Sequence, residues 1–257
     1  MARYTSLEQL PRFETLYSAW RENYNRIDIL RRVGGEQYTD LADTLAECSD
    51  PDSNYLCNSL ACKLCNRSFR IKRVDQLVTR IRSEKKRWWV VTIIDYHRAF
   101  SSNCLESFEP KKAKDRMRKM LTRCGFEGPV VGTFELDYHE SCNLWLPHFH
   151  LICPRTKTNR QARHKLRTSL NNTQKQHIKE GKKPRPLMFQ KLKNPYTQIS
   201  YVYKLLSFRV IDCIYLSGKR GTKKRRLYHA MFCKHLYWLD SIDRRVFLFS
   251  YGERGWK

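Results

Sequence analysis

The fold is decided by residues 144–153, which read Leu-Trp-Leu-Pro-His-Phe-His-Leu-Ile-Cys. The run is mostly apolar, which predicts a buried β-strand. Side chains alternate between the two faces of a strand, so His148 and His150 share one face while Phe149 points to the other. Two imidazoles on one face form half of a metal site, although two histidines on the solvated face of a strand are the plainer interpretation.

A second strand is predicted over residues 129–138. The short polar connection 140–143 separates it from the histidine strand, which predicts a hairpin of antiparallel neighbours. Within this strand Glu135 shares a face with Thr133 and Asp137.

We therefore expect Glu135 to complete a site with His148 and His150, open to substrate and suited to Mg²⁺, Mn²⁺ or another divalent ion. Asp137 is the alternative carboxylate ligand, and His139 is a further candidate. The competing interpretation is that Glu135 pairs with one of the many basic side chains of this chain.

A cysteine cluster lies upstream, with the spacing Cys-x8-Cys-x4-Cys-x2-Cys over Cys48, Cys57, Cys62 and Cys65. Tetrahedral zinc prefers thiolate ligands, and a Cys-x2-Cys pair supplies two of them from one turn. The spacing predicts a structural zinc site, because four protein ligands leave no open position for chemistry. The alternative is a cluster of free thiols.

The charge balance points to a polyanionic partner. The 257 residues include 50 Lys and Arg against 25 Asp and Glu, a formal net charge of +25, and 41% hydrophobic residues allow a proper core. Nucleic acid is the first partner class that this charge indicates, and an anionic membrane surface is the second. No apolar run is long enough to span a bilayer and no signal peptide is evident, so we expect an intracellular protein with reduced cysteines.

Two basic segments are candidates for phosphate contact. One is a predicted helix over residues 66–81, and the other is a predicted flexible loop over residues 217–226. A solvated cationic face is the plainer interpretation of both. The candidate DNA-binding residues are Arg67, Arg70, Arg73, Lys219, Arg220, Lys223, Lys224, Arg225 and Arg226.

A helix starting near Pro195 carries a candidate nucleophile. Tyr201 and Lys204 are three residues apart and hence adjacent on one helical face, whereas Tyr203 points elsewhere and is expected to pack. A free tyrosine hydroxyl ionises only near pH ~10. A neighbouring ammonium and a divalent ion would help it to attack phosphorus. A Tyr-x-x-Lys sequence also arises by chance in a chain this rich in both residues.

The N-terminal segment is predicted to form one helix over residues 6–33. Its aromatic face is expected to pack in the core rather than to stack bases; the face comprises Phe13, Leu16, Tyr17, Trp20, Tyr24 and Ile27. We expect two domains, a helical and zinc-knuckle extension over residues 1–86 and a second domain over residues 87–257.

The ordered set of motifs resembles the plasmid rolling-circle replication initiators of the HUH endonuclease superfamily. The resemblance runs from about residue 48 to residue 204. Its motifs are Cys62-x2-Cys65, the apolar strand 88–95, Gly132-x2-Glu135, Pro147-His148-Phe149-His150 and Tyr201-x2-Lys204.

The resemblance implies an α+β fold with a central five-stranded antiparallel sheet flanked by helices. It implies that Tyr201 attacks a phosphodiester of single-stranded or hairpin origin DNA, which leaves a 5′-phosphotyrosyl protein and a 3′-hydroxyl that primes synthesis. Glu135, His148 and His150 would hold the metal, and Lys204 would orient the bound phosphate or favour the ionised tyrosine. The implied setting is the bacterial cytoplasm, with a plasmid origin and the host replication machinery, including a helicase, as partners.

The chain departs from the family at two positions. Leu146 stands where many members have a histidine outside the core ligand pair. Thr197 stands where some initiators have a glutamate that activates the terminating water, so the route of termination is open. Alternative functions are a single-tyrosine transposase, a mobilisation relaxase, or a zinc-knuckle nucleic-acid-binding protein without catalysis. No P-loop is present, so no built-in helicase is expected.

Overall fold

The computed structural model describes residues 4–173, 185–218 and 220–253. Lys219, a candidate DNA-binding residue, lies outside them. The chain packs as two compact units, whereas the sequence suggested a single division between residues 86 and 87. The first unit comprises Met1–Glu84, Asn194–Leu205 and Tyr228–Arg245, and the second comprises Lys85–Lys193, Leu206–Leu227 and Val246–Lys257.

The first unit is helical. Its helices are α1 (Leu16–Val33), α2 (Glu36–Glu47), α3 (Lys63–Ser83), α6 (Pro195–Val202) and α7 (His229–Asp240). Helix α1 contacts α2, α3 and α7, and α3 also contacts α6. Gly34 and Gly35, with φ angles of 74° and 104°, make the turn between the first two helices.

The predicted start of the first helix was wrong. Leu7–Gln9 forms only a short 3-10 turn, and α1 begins at Leu16, where the Thr15 side chain accepts a hydrogen bond from the backbone N–H of Ser18. Pro11 lies between the two elements and has no N–H to donate to a continuous helix.

The aromatic face of α1 was also predicted wrongly. Tyr17, Trp20 and Tyr24 are exposed, and their rings stack on one another with centroids 6.5 and 5.7 Å apart. The buried face includes two polar residues that bind the backbone of the segments packed against α1. Asn23 accepts a hydrogen bond from Lys63 N at 2.8 Å, and Arg26 donates to Ala61 O at 2.6 Å. A pattern that counts only apolar residues misses this face.

The second unit is built on a sheet with helices packed against it, which confirms the α+β class. The strands are β1 (Trp88–Ile94), β2 (Phe100–Ser101), β3 (Val130–His139), β4 (Leu144–Pro154), β5 (Leu187–Lys191), β6 (Arg209–Ile214), β7 (Arg220–Arg225) and β8 (Leu248–Tyr251). The helices of this unit are α4 (Pro110–Cys124) and α5 (Lys157–Thr173). The strand order in the sheet is β5-β1-β4-β3-β6-β7, with β2 paired to β4 and β8 paired to β3.

The sheet differs from the prediction in strand number and direction. The described residues contribute eight strands rather than five, and β3 pairs with β6 in parallel. Part of the difference comes from residues 217–226, which were predicted to be a flexible loop. Within this segment Arg220–Arg225 instead form β7, paired antiparallel with β6.

The hairpin of β3 and β4 confirms the prediction that these strands are antiparallel neighbours. Glu135 lies opposite His148, and Phe134 lies opposite Phe149. The two phenylalanine rings are fully buried, with centroids 5.3 Å apart, and Phe149 also packs edge-on against Phe249. This aromatic core on one face of the sheet fixes the direction of the histidines on the other.

Among the described helices, none is both long and apolar enough to cross a membrane.

Gly132 lets β3 approach β4 closely. A Cβ there would overlap the carbonyl oxygen of His150 and come within 2.8 Å of Leu151 Cα. We expect Gly132→Ala to lower the free energy of unfolding by about 3 kcal/mol, because the paired backbones must separate. Chemical denaturation measures this loss. The control is Gly125→Ala at the end of α4, where a Cβ meets nothing within 4 Å and only the left-handed backbone, with φ 80° and ψ 35°, costs about 1 kcal/mol. Equal losses in the two variants would contradict the close-approach explanation.

Candidate functional site

The four cysteine sulfurs of the first unit form a compact group. All four Sγ atoms lie within 4.8 Å of one another. The Cys48–Cys65, Cys57–Cys65 and Cys62–Cys48 separations are 3.6, 3.7 and 3.7 Å. Ligand sulfurs at about 2.3 Å from a tetrahedral zinc ion lie about 3.8 Å apart. The arrangement could therefore hold a structural zinc ion with little movement.

Local structure brings these sulfurs together. Cys48 follows the last residue of α2, and Cys62 caps the start of α3, where its sulfur accepts a hydrogen bond from Cys65 N at 3.5 Å. The Cys-x2-Cys pair thus lies on the first turn of a helix, while Cys57 comes from the connecting segment before Asn58, whose φ is 53°.

Hydrogen bonds among the clustered sulfurs shift the pKa values of Cys57 and Cys65 in opposite directions. Hydrogen bonds from Cys57 and then from Cys62 hold the pKa of Cys65 below its usual range, whereas contacts with Cys62 and Cys65 raise the pKa of Cys57. Cys65 is therefore favoured as a thiolate while Cys57 keeps its proton. A zinc ion would replace the thiol protons and stabilise four thiolates together.

In the second unit, a cluster of ionisable side chains is buried on one face of the sheet. Glu135 and Asp137 on β3 are each 1% exposed, and His148 and His150 on β4 are 6% and 2% exposed. Burying such groups costs free energy unless partners satisfy them. A buried set of this composition is typical of a functional site.

The two histidines are oriented through the same ring atom. His150 Nδ1 lies 3.1 Å from Thr92 Oγ1 on β1, and His148 Nδ1 lies 3.5 Å from Asp137 Oδ2. Partners at Nδ1 fix the ring orientation and leave Nε2 as the atom for a metal. His148 Nε2 is buried and has no hydrogen-bond partner among the residues that the structure describes.

Glu135 approaches the second histidine. The distance from Glu135 Oε2 to His150 Nε2 is 3.3 Å. Adjacent ligands that are each about 2.1 Å from an octahedral ion lie about 3.0 Å apart, so this pair fits a shared divalent ion. It also fits an ion pair, and among the described residues only the four cysteines bring all their ligand atoms within 4.8 Å. The metal role of Glu135, His148 and His150 stays a prediction.

Asp137 is better placed to orient a ligand than to be one. Its Oδ2 accepts from Lys224 Nζ at 2.7 Å, and its Oδ1 accepts from Phe208 N at 2.9 Å. Lys224, a candidate phosphate contact, is thus engaged inside the unit. His139, the other candidate ligand, has a ring centroid 6.1 Å from that of His148. Burial, and then the nearby charge of His148, lower the pKa of His139 to about 4, so this imidazole is neutral at pH 7.

Thr92 was missed by the sequence reasoning. It stands in an otherwise apolar strand, Trp-Trp-Val-Val-Thr-Ile-Ile, and lies opposite His150 in the pairing of β1 with β4. A lone hydroxyl in a buried strand was the available signal. Its meaning depends on a register that the sequence does not reveal.

Tyr201 and Lys204 lie in the first unit, whereas Glu135, His148 and His150 lie in the second. Tyr201 is 49% exposed at the end of α6, and the Lys204 Nζ lies 4.9 Å from the centroid of its ring. The two side chains are therefore neighbours, although not on one helical face as predicted, because α6 ends at Val202 and Lys204 lies beyond it. Tyr203 is fully buried, which confirms that it packs in the core.

The basic residues of α3 are engaged within the first unit. Arg67 Nη2 lies 2.6 Å from Glu8, and Arg70 Nη1 lies 2.5 Å from Glu14. The Arg73 guanidinium lies 6.0 Å from the centroid of the Tyr203 ring. A role for these three arginines in DNA binding stays a prediction. Lys223, Arg225 and Arg226 are exposed.

Comparisons of the chain with protein-family models, with curated proteins and with solved structures give no match.

The cysteine cluster predicts bound zinc. Freshly purified protein should contain about one zinc ion per chain, and Cys62→Ser should lose it and unfold at a lower temperature, because a ligand that caps α3 is removed. Elemental analysis and thermal melting measure the two effects. Cys104→Ser, an exposed cysteine outside the cluster, is the control and should retain the metal. Zinc content near zero in the unmodified protein would refute the site.

The histidine face predicts a second metal site, for Mn²⁺ or Mg²⁺. Calorimetric titration with Mn²⁺ should detect a site that is absent from the His148→Ala, His150→Ala double variant. Asp137→Asn should weaken it by about 10-fold to 100-fold, because the orienting carboxylate is lost. His229→Ala, which changes an exposed histidine at the start of α7, serves as the control. Unchanged Mn²⁺ binding in the double variant would show that the metal binds elsewhere.

Proposed function

We propose that this protein is a metal-dependent DNA nickase and strand transferase that initiates rolling-circle replication of a plasmid. The observation that carries the proposal is the buried face of β3 and β4, where two histidines with anchored Nδ1 atoms stand beside Glu135. The motif resemblance to HUH endonucleases adds the reaction type and the nucleophile.

Each side chain has a role in this proposal. Glu135, His148 and His150 would hold a divalent ion, which would supply Lewis-acid polarisation of a phosphodiester oxygen. The hydroxyl oxygen of Tyr201 attacks the phosphorus, the bond from phosphorus to the 3′ oxygen breaks, and the proton ends on the released 3′-hydroxyl. The ammonium of Lys204, 4.9 Å from the centroid of the Tyr201 ring, would orient the bound phosphate or favour the ionised phenol.

Half exposure of Tyr201 leaves its phenol accessible to a substrate as large as DNA. The formal net charge of +25 supplies affinity for the phosphate backbone without reading sequence. Origin DNA, single-stranded or extruded as a hairpin, is the proposed substrate. Host replication proteins, including a helicase, are the proposed partners in the bacterial cytoplasm.

A second candidate function is supported by the cysteine cluster, which is the most compact ligand set among the described residues. It is nucleic-acid binding without catalysis, with a zinc-stabilised helical unit as the binding element. The same chemistry in a transposase or a relaxase differs only in the DNA that is cut.

Covalent capture tests the proposal. The protein is mixed with Mn²⁺ and a pool of single-stranded and stem-loop oligonucleotides, and adducts that survive denaturing electrophoresis are counted. We expect an adduct with the unmodified protein and none with Tyr201→Phe, because the attacking oxygen is removed. Tyr24→Phe removes another exposed phenol and should form the adduct normally.

The His148→Ala, His150→Ala double variant separates catalysis from binding. It should form no adduct and should keep most of its DNA affinity, since that affinity comes from the cationic surface. Tight binding of every DNA without an adduct from the unmodified protein would reject the nickase and favour the non-catalytic function.

A further inference from the structure

The hairpin of β6 and β7 ends in an exposed apolar tip. Leu216 is fully exposed, Ile214 is 71% exposed and Tyr215 is 45% exposed. Large aliphatic side chains at the end of a projecting hairpin contribute nothing to the core of the unit that carries them. Their exposure costs free energy in water and indicates a partner.

The tip is held in one conformation. Gly218, with a φ of 73°, donates a backbone hydrogen bond to Tyr215 O at 2.8 Å. The Tyr215 hydroxyl donates to Thr222 O at 3.3 Å, and its ring lies so close to Gly221 that a Cβ there would overlap it. The tyrosine therefore ties the two strands together beneath the turn, and Leu216 projects beyond it.

The strands behind the tip are cationic. Residues 209–226 include seven Lys and Arg against the single acid Asp212. Arg209 is paired with Glu140 at 3.0 Å and Lys224 with Asp137 at 2.7 Å. Among the described side chains of this segment, Lys223, Arg225 and Arg226 are exposed cations that suit contact with phosphates.

We propose that the β6–β7 hairpin is a wedge that unstacks bases of DNA, with Leu216 as the inserted side chain and the cationic strands on the flanking phosphates. Proteins that kink or open duplexes insert aliphatic side chains between base steps in this manner. The inference deepens the proposed function, on which it rests for DNA as the partner, by giving this protein a means to open a hairpin substrate.

The topology also sets where the wedge acts. Val210 on β6 pairs with His139 on β3, the strand that carries Glu135. His139 lies four residues beyond Glu135, and Leu216 lies six residues beyond Val210 on the parallel strand β6. Leu216 is therefore about ten residues, or about 33 Å of extended chain, from Glu135. One strand of duplex DNA advances about 3.4 Å per nucleotide. The unstacked base should therefore lie about ten nucleotides from the phosphate that is cut.

A membrane surface is the other partner that a cationic hairpin with an apolar tip could meet. Stable membrane attachment requires a broad apolar face or more than one anchor. Here the tip offers two aliphatic side chains on one rigid turn, which suits a single base step better than a lipid surface.

The test uses a stem-loop oligonucleotide with 2-aminopurine at one stem position at a time, because its fluorescence rises when the base loses its stacking neighbours. Binding of the whole protein without divalent ions should raise the signal about threefold at one or two adjacent positions. Leu216→Ala and Leu216→Gln should abolish the rise, whereas Leu16→Ala, which changes an exposed leucine outside the hairpin, should retain it. With a stem-loop that forms the covalent adduct, the responding base should lie about ten nucleotides from the cut phosphate.

Two results would overturn the wedge. One is an unchanged rise in both Leu216 variants. The other is loss of binding to vesicles of phosphatidylserine and phosphatidylcholine in the Leu216 variants while the DNA signal persists, which would assign the tip to a membrane. Base unstacking without an adduct would reject the nickase and keep the wedge. An adduct without Leu216-dependent unstacking would reject the wedge alone.

Discussion

The antiparallel pairing of β3 with β4 is the interaction on which the rest of the structure depends. It places Glu135 opposite His148 on one face and Phe134 opposite Phe149 on the other. Burying each phenylalanine stabilises the fold by about 1.5–3 kcal/mol. Each buried polar group left without a partner costs about 1–3 kcal/mol. The aromatic face thus offsets a polar face that stability alone would not favour, and such a conflict between neighbouring residues is typical of functional sites.

Within each unit, secondary structure connects the candidate functional residues to the elements that support them. In the first, the cysteine cluster fixes the start of α3, and Arg70 on that helix donates to the hydroxyl of Ser200, the residue before Tyr201, at 3.3 Å. A zinc ion in the cluster would therefore support the helix that carries the proposed nucleophile. In the second unit, β6 and β7 extend from the strand that carries Glu135 and place Lys224 on Asp137.

The sequence predicted those features that depend on local pattern. Strand alternation gave the shared face of His148 and His150, and cysteine spacing gave the sulfur cluster. Features that depend on long-range register were not predictable. Thr92 acquires its meaning only from the pairing of β1 with β4, and residues 220–225 form a strand only because β6 is available as a partner. On α1, polar residues bury themselves against backbone groups, which hydrophobic periodicity cannot anticipate.

The central claim is that the face carrying Glu135, His148 and His150 binds a divalent metal ion. Anomalous diffraction at the manganese absorption edge, from crystals soaked in Mn²⁺, tests it most directly. We predict one manganese peak on this face, about 2.0–2.3 Å from the Nε2 atoms of both histidines and from a Glu135 carboxylate oxygen. Manganese peaks only at other positions, with His150 and Glu135 still in direct contact, would contradict it.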